Sequence, residues 1–303
     1  MTTFLQLAFV PLAAAVLSCL ACGLVGNLLV LTRQSLLGDA ISHAVLPGLV
    51  LAFWLSGSRD PLPMVAGAAA AALVATGGIG LVRSAAQLEA GATMGVVFSA
   101  MFAFGLVLIE LTGASSVDLD IDCVLSGQLE TLIWPAAEGL ASLVDPAALA
   151  QLPRELWTLV AALALVLAAF AALWKELRLV AFDPDFAAAI GFAPRSLSLL
   201  VLLLTAIATV AAFWAVGTIL AIAALVAPAA CARLLTDRYG AQIALSIATA
   251  ATMGAGGYGA SALLPPVLGL NGLNAAGLIA VTAGLLVTLS AFARSRRAAR
   301  LGA

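Results

Sequence analysis

Long apolar runs without a charged side chain dominate the pattern of this chain. Residues 1–32, 196–232 and 239–293 contain no Asp, Glu, Lys or Arg. A helix crosses the hydrocarbon core of a membrane with about 20 residues, so the second and third runs are each too long for one span. Gly217 and the stretch LPPVLGLNGLN (264–274) predict the breaks that divide them. The pattern predicts nine transmembrane helices, with eight as the alternative, over residues 5–31, 37–56, 62–82, 92–112, 156–174, 196–214, 217–235, 241–263 and 271–292.

Composition supports the same class. Of the 303 residues, 64% are hydrophobic and 9% are charged, whereas a soluble domain has about 25% charged residues. So few charged side chains exclude a soluble enzyme, a disordered chain and a nucleic-acid-binding protein. We therefore expect an all-α fold: a polytopic membrane helical bundle that forms one transmembrane domain over residues 1–303.

The basic residues predict the orientation of this bundle. With the N-terminus outside, all but two of the 13 Lys and Arg residues lie inside, and the exceptions are Arg59 and Arg154. Cytoplasmic loops are enriched in Lys and Arg, and the opposite orientation would reverse the asymmetry. The prediction is N-out and C-in, with the basic SRRAAR tail in the cytoplasm.

Two segments are not predicted to span the membrane. The first, 113–155, lies outside. It is either a solvated loop or, at LSGQLETLIW (125–134), a short interfacial helix that lines an entrance. The second segment is predicted to form a cytoplasmic helix over 183–191, with Asp183 as N-cap, Pro184 at the first helical position and Gly191 just past the end. A turn between two spans does not need such a helix, so we expect it to contact a partner.

One polar group of residues falls inside a predicted span, in GDAISHAVLPG (38–48). Asp39 and His43, the only histidine, are four residues apart and share a helix face. Ionisable groups in a membrane indicate function, and an oxygen–nitrogen ligand pair suits a divalent transition metal. In the alternative interpretation Asp39 only caps the helix and His43 hydrogen-bonds to it. Pro47 and Pro228 remove helical hydrogen bonds, so they predict kinked helices that line a pathway.

Catalytic motifs are absent from the sequence. It contains no G-x-x-x-x-G-K-[ST] phosphate loop, no H-E-x-x-H and no G-x-S-x-G. We therefore expect that the chain is not an enzyme and that any ATP hydrolysis occurs on a separate subunit.

Three segments give the chain a resemblance to a known family. They are GDAISHAVLPGLVLAF (38–53), FDPDFAAAIG (182–191) and VGTILAIAALVAPAACARLLTDR (216–238). In their order and spacing the chain resembles the permease subunits of metal-type ABC importers, the manganese, zinc and iron family. One departure is NGLNAAG (271–277), which lacks an acidic residue often found there, and another is the long outer segment.

The resemblance implies a function and its partners. Asp39 and His43 would bind the transported ion, and the 183–191 helix, with Asp183, Pro184, Ala188 and Gly191, would couple to an ATP-binding cassette ATPase. The Leu-Pro-Gly ending at 46–48 is more similar to manganese and iron members, so Mn²⁺ is expected, with Fe²⁺ or Zn²⁺ as alternatives. An extracytoplasmic metal-binding protein and a second copy of the chain would complete the importer in the bacterial cytoplasmic (inner) membrane.

In this interpretation the metal is cargo, and no permanently bound cofactor is expected. The alternative function is an ion-coupled secondary metal transporter. Against it, the sequence has no inverted repeat and no second intramembrane carboxylate pair.

Overall fold

The computed structural model describes residues 2–34, 40, 43–58, 61–86, 90–112, 127, 129–269 and 272–301. These residues form helices and connections with no β-strand among them, which confirms the all-α fold class. Two 3₁₀ turns, Leu129–Thr131 and Leu140–Leu143, accompany the α-helices. In chain order the α-helices are α1 Thr2–Leu7, α2 Phe9–Leu31, α3 Leu46–Ser56, α4 Pro61–Ala86, α5 Ala90–Thr112, α6 Pro146–Leu149, α7 Arg154–Ala172, α8 Trp174–Phe182, α9 Pro184–Ala189, α10 Pro194–Leu235, α11 Tyr239–Leu268 and α12 Ala275–Leu301.

Seven helical stretches in the described part of the chain are long and apolar enough to cross a membrane. Two further predicted spans are helical but differ from these. α3 has only 11 residues, and α11 has 30 residues with the less apolar stretch GAGGYGA (254–260) at its centre. The count of nine spans and the N-out orientation therefore remain predictions. The seven stretches are Phe9–Leu31, Leu62–Val82, Gly91–Thr112, Arg154–Ala172, Pro194–Phe213, Ala215–Leu235 and Ala275–Arg297.

Both predicted breaks in the long apolar runs are confirmed. Within the 42 residues of α10, Gly217 has non-helical backbone angles of φ 78° and ψ 171°. A side chain makes this region of φ unfavourable, so glycine is the residue suited to it. α11 ends at Leu268, and Gly269 adopts the left-handed conformation that terminates many helices.

α2 is the central helix of the larger of two helix groups, which it forms with α7, α10, α11 and α12. Of its 23 residues, 15 are buried. A Cβ atom on Gly26 would overlap the backbone of Leu225, so α2 and α10 cross in direct backbone contact. Small residues allow such close approach in membrane bundles, where van der Waals packing drives helix association.

The smaller helix group consists of α3, α4 and α5. It joins the rest of the bundle through the first half of α10, by a buried apolar cluster. His43 lies directly ahead of α3, so this group positions it. The cluster comprises Val45, Leu49, Met64, Ala68, Ala72, Leu202, Ala206, Val210 and Phe213.

Candidate functional site

His43 lies in helical backbone just ahead of α3 and is half-buried. Its ring stacks on Phe98 with a centroid distance of 5.8 Å and meets Phe102 edge-on at 5.3 Å. Both phenylalanines belong to α5, so the aromatic contacts restrict the imidazole while part of it is exposed. Asp39, the other predicted ligand, lies outside the described residues, and the metal site remains a prediction.

Within the described residues, His, Cys, Asp and Glu side chains do not form a group of three or more that could hold a metal ion. A closed structural zinc site uses four protein ligands. The described part of the chain is therefore without such a cage. His43 with one further ligand would form an open site, suited to an ion that passes through.

The Leu46-Pro47-Gly48 sequence packs α3 tightly between its two neighbours. A Cβ atom on Gly48 would overlap the carbonyl of Gly67 in α4, and one on Gly67 would overlap the carbonyl of Gly48. On the other side, a Cβ atom on Gly105 in α5 would lie 2.9 Å from Leu46 Cγ and 3.1 Å from Pro47 Cδ. These glycine contacts set the height and angle of α3, and with it the position of His43 directly ahead of this helix.

Pro47 lies close to a break in the predicted span 37–56. His43 and Ala44 are helical, Val45 is a turn residue with helical backbone angles of φ -76° and ψ -18°, and Pro47 lies in the first turn of α3. Proline is favoured in a first turn because the N–H that it lacks would have no partner within the helix. The roles of Pro47 in a kink and in the pathway remain predictions.

Pro228 lies inside α10 and is buried against α2. A Cβ atom on Gly23 would be 3.2 Å from the Cβ of Pro228, and the Thr249 hydroxyl of α11 donates to the Pro228 carbonyl at 3.3 Å. Gly217 is the residue of α10 with non-helical backbone angles, whereas a kink at Pro228 remains a prediction. The contacts at Pro228 are those of a packing residue, and its pathway role is untested.

The short helix predicted at 183–191 is present as α9. The Asp183 carboxylate accepts a hydrogen bond from the backbone N–H of Phe186 at 2.9 Å, which makes Asp183 the N-cap. Pro184 is in the first turn, and the chain leaves the helix through Gly191, whose φ is 94°. The helix, its cap and its glycine exit are confirmed, whereas its docking role remains a prediction.

α9 presents an apolar face away from the bundle. Ala187 is buried, while Phe186 and Ile190, four residues apart, are 53% and 52% exposed, and Ala188 is exposed on another side of the helix. Large exposed apolar side chains that lie together indicate an interaction surface. Sequence reasoning selected Ala188 but missed Phe186 and Ile190, although their spacing of four residues was a usable signal.

The segment from Leu129 onward is neither of the two structures expected for it. Leu129, Leu132 and Trp134 are buried, so this part is not a solvated loop, and it contains a 3₁₀ turn instead of an interfacial helix. Trp134 is fully buried, with its indole N–H donating to the Ala148 carbonyl at 2.9 Å. Its backbone N–H donates to Gln6 at 2.8 Å, which ties the segment to α1.

Glu130 places a carboxylate at the start of α12. Its Oε1 accepts a hydrogen bond from the Ala275 N–H at 3.1 Å. A negative charge at a helix N-terminus is favourable because the unpaired N–H groups there carry partial positive charge. The start of α12 therefore receives a carboxylate from a residue that is 145 positions away in the chain.

The sequence matches the ABC 3 transport family over residues 1–134 and 137–293. It is 36% identical to the manganese transport system membrane protein MntD of Bacillus subtilis over 227 residues, or 75% of this chain and 74% of MntD. It is 33% identical to the zinc transport system membrane protein TroC of Treponema pallidum, over 81% of this chain and 77% of TroC.

The fold is also similar to a solved structure, PsaBC from Streptococcus pneumoniae in complex with Fab. The TM-score is 0.74 and the identity 27%, over 93% of this chain and 89% of that chain. The matched family ranges include His43 and the whole of α9. The resemblance inferred from the sequence is confirmed: the chain belongs to the ABC 3 transport family and is a multi-pass membrane permease.

Proposed function

We propose that this chain is the permease subunit of a binding-protein-dependent ABC importer for a divalent transition metal, with Mn²⁺ as the leading candidate. The observation that carries the proposal is the family match across both His43 and α9. The names of its relatives include a manganese and a zinc system. These names do not select one metal, so the choice of Mn²⁺ as the transported ion rests on the resemblance at Leu46-Pro47-Gly48. Fe²⁺ and Zn²⁺ are the alternatives.

In this proposal Asp39 and His43 bind the ion transiently. Charge-assisted ligation by Asp39 would draw a cation into a low-dielectric interior, and His43 would supply a nitrogen ligand. The His43 ring stacks on Phe98 and meets Phe102 edge-on. These contacts support the role, because a ring that is already restricted loses less freedom when it binds a metal ion. Water or the second copy of the chain would complete the coordination.

Energy for transport would come from a separate ATP-binding cassette ATPase, since this sequence has no phosphate-binding loop. α9 would transmit it, because this capped helix exposes the apolar pair Phe186 and Ile190 and, on another side, Ala188. An extracytoplasmic metal-binding protein would deliver the ion, and two copies of the chain would form the pathway in the bacterial inner membrane. An ion-coupled secondary transporter is not favoured, because the ABC family match covers nearly the whole chain.

The decisive test is metal uptake by Asp39→Asn, measured at matched membrane abundance in cells that also express the ATPase and the binding protein. Asparagine keeps the size and the capping ability but loses the charge. We expect uptake to fall by about tenfold or more, since hydrogen bonds and contacts to ionised groups are the stronger kind. Glu110→Gln is the matched control, because it neutralises an exposed carboxylate at the far end of α5.

Near-normal uptake by Asp39→Asn would favour the helix-cap interpretation and remove the site. His43→Leu provides a second test, since leucine is compatible with lipid and the variant should still insert. Competition among Mn²⁺, Fe²⁺ and Zn²⁺ at equal free concentrations would then identify the cargo.

A further inference from the structure

A cavity of about 980 Å³ lies between α8 and the turn that joins α10 to α11, and it includes Phe182 and Phe192, which flank α9. We call it the basic pocket. Its walls include the aromatic side chains of Trp174, Phe182 and Tyr239 and the cationic side chains of Lys175, Arg178 and Arg238. No role has been given to this pocket in the transport scheme above.

The basic pocket has an excess of positive charge. One carboxylate also lines it, that of Asp237, but this group is 3.2 Å from the guanidinium of Arg233 and is already paired. Across the described residues, no carboxylate lies within ion-pair distance of Lys175, Arg178 or Arg238. Lys175, Arg178 and Arg238 thus place three cations around one cavity that has a single, already paired carboxylate, and a bound anion would relieve their mutual repulsion.

Tyr239 adds an unused hydrogen-bond donor. Its side chain is 6% exposed, and its ring lies 4.8 Å from that of Trp174 and 6.2 Å from that of Phe182, between centroids. The buried hydroxyl has no hydrogen-bond partner among the described residues. Buried polar groups are nearly always paired, so an unpaired hydroxyl in the wall of a cationic cavity indicates a missing acceptor.

The position of the pocket indicates where that acceptor comes from. Trp174 begins the short helix that directly follows the apolar span of α7, and Tyr239 begins α11. Trp and Tyr at the ends of spans mark the depth of the lipid headgroups. Basic pockets between transmembrane helices at that depth suit lipid phosphates.

We propose that the basic pocket binds the phosphate group of an anionic phospholipid. Lys175, Arg178 and Arg238 contact the phosphate oxygens, the Tyr239 hydroxyl donates a further hydrogen bond, and the aromatic wall covers the first apolar atoms of the lipid. An acidic side chain of the ATPase is the competing occupant. A lipid phosphate is favoured by the position of the pocket at the depth of the headgroups and by its aromatic wall, which would cover the apolar atoms that follow the phosphate.

Native mass spectrometry of the purified full-length chain tests the proposal without the ATPase or any metal, so its result is independent of the transport function. The chain is titrated with phosphatidylglycerol and, separately, with phosphatidylcholine. We expect the wild-type chain to bind phosphatidylglycerol more tightly than phosphatidylcholine. The double variant Arg178→Gln/Arg238→Gln should lose about tenfold or more of this preference, because each nearby cation strengthens the binding of an anionic headgroup by roughly fivefold to tenfold. Arg294→Gln/Arg296→Gln is the matched control, because it removes two exposed cations that do not line the pocket.

Tyr239→Phe keeps the aromatic packing and removes only the hydroxyl. It therefore tests whether lipid binding can be weakened without misfolding of the chain. It should weaken phosphatidylglycerol binding and leave the melting temperature unchanged or higher. Equal binding of the two lipids by the wild-type chain would overturn the proposal. So would an unchanged lipid preference in Arg178→Gln/Arg238→Gln together with lost co-purification of the ATPase, since the pocket would then be a protein-docking surface.

Discussion

Replacing Asp183 with alanine should weaken ATPase binding by up to about fivefold without unfolding the permease. Asp183 is the N-cap of α9, and its carboxylate accepts the Phe186 N–H at 2.9 Å. α9 has six residues, and a helix of this length has no stability of its own. Its helical population therefore depends on the cap, on the proline that follows and on its contacts with the bundle.

The size of the effect follows from the cap alone. Replacing an Asp N-cap by Ala costs about 1 kcal/mol of helix stability, which corresponds to roughly a fivefold change in an equilibrium constant. If the ATPase binds the helical form, its apparent affinity falls in proportion to the helical population, and the loss reaches about fivefold when the helical form is the minor one. Asp183 is exposed, so loss of its charge should add little, and Asp183→Asn should behave almost as the wild type because asparagine also caps.

A matched control is available within the same chain. Asp145 precedes a proline as Asp183 does, and it caps α6 by accepting the Ala147 N–H at 3.0 Å. Asp145→Ala therefore removes the same interaction from a helix in a different part of the bundle. The assay is titration of each reconstituted permease variant with purified ATPase, alongside metal uptake at matched membrane abundance.

Three results would refute this reasoning. Asp183→Ala could bind the ATPase as tightly as the wild type, in which case α9 is not the docking element or needs no cap. Asp183→Asn could lose as much affinity as Asp183→Ala, in which case the charge and not the cap is recognised. Equal losses in Asp145→Ala and Asp183→Ala would indicate a general loss of stability.

Three further predictions test the docking face, the packing and the topology. Ala188→Arg should abolish ATPase co-purification while membrane insertion persists, because Ala188 is exposed on α9; normal transport by this variant would exclude docking there. Gly48→Ala should lower the free energy of unfolding by about 1–3 kcal/mol because the added methyl group overpacks the contact with α4. Gly80→Ala places its methyl group in open space, so the free energy of unfolding should stay the same or rise by up to about 1 kcal/mol. Thermal unfolding in detergent measures both. Cysteines placed at Val144 and Ser295, both exposed, should react with an impermeant reagent from outside and inside respectively; reaction from one side only would contradict the orientation.

Features determined by neighbouring residues could be predicted from the sequence. The cap at Asp183 and the breaks at Gly217 and Gly269 depend on a few adjacent positions, and each is where the pattern indicated. The helical spans follow from apolar length alone, because an isolated backbone polar group is too costly inside a bilayer. His43 was selected because ionisable groups are rare inside apolar spans, and its role remains a prediction.

Contacts between distant segments could not be predicted in the same way. Asn27 of α2 donates to Ser246 at 2.8 Å and accepts from Gln242 at 3.2 Å, but nothing local pairs α2 with α11. The meeting of Gly48 with Gly67 likewise depends on the crossing of α3 and α4, and either glycine alone is one of many in the sequence. A single sequence specifies which residues are small or polar, whereas their partners emerge only when the helices pack.

The break at Gly217 also has a consequence for how the length of this chain can vary. The helical geometry resumes directly after this one residue, so a single inserted amino acid would rotate the rest of α10 by about 100° and shift it by about 1.5 Å. Leu225 would then leave the backbone of Gly26, and Pro228 would leave Gly23, whose close contacts hold α10 against α2. Functional variants of this chain should therefore have no insertions or deletions between residues 217 and 235. The connection at Asp237 and Arg238 can accept them, because both residues are exposed.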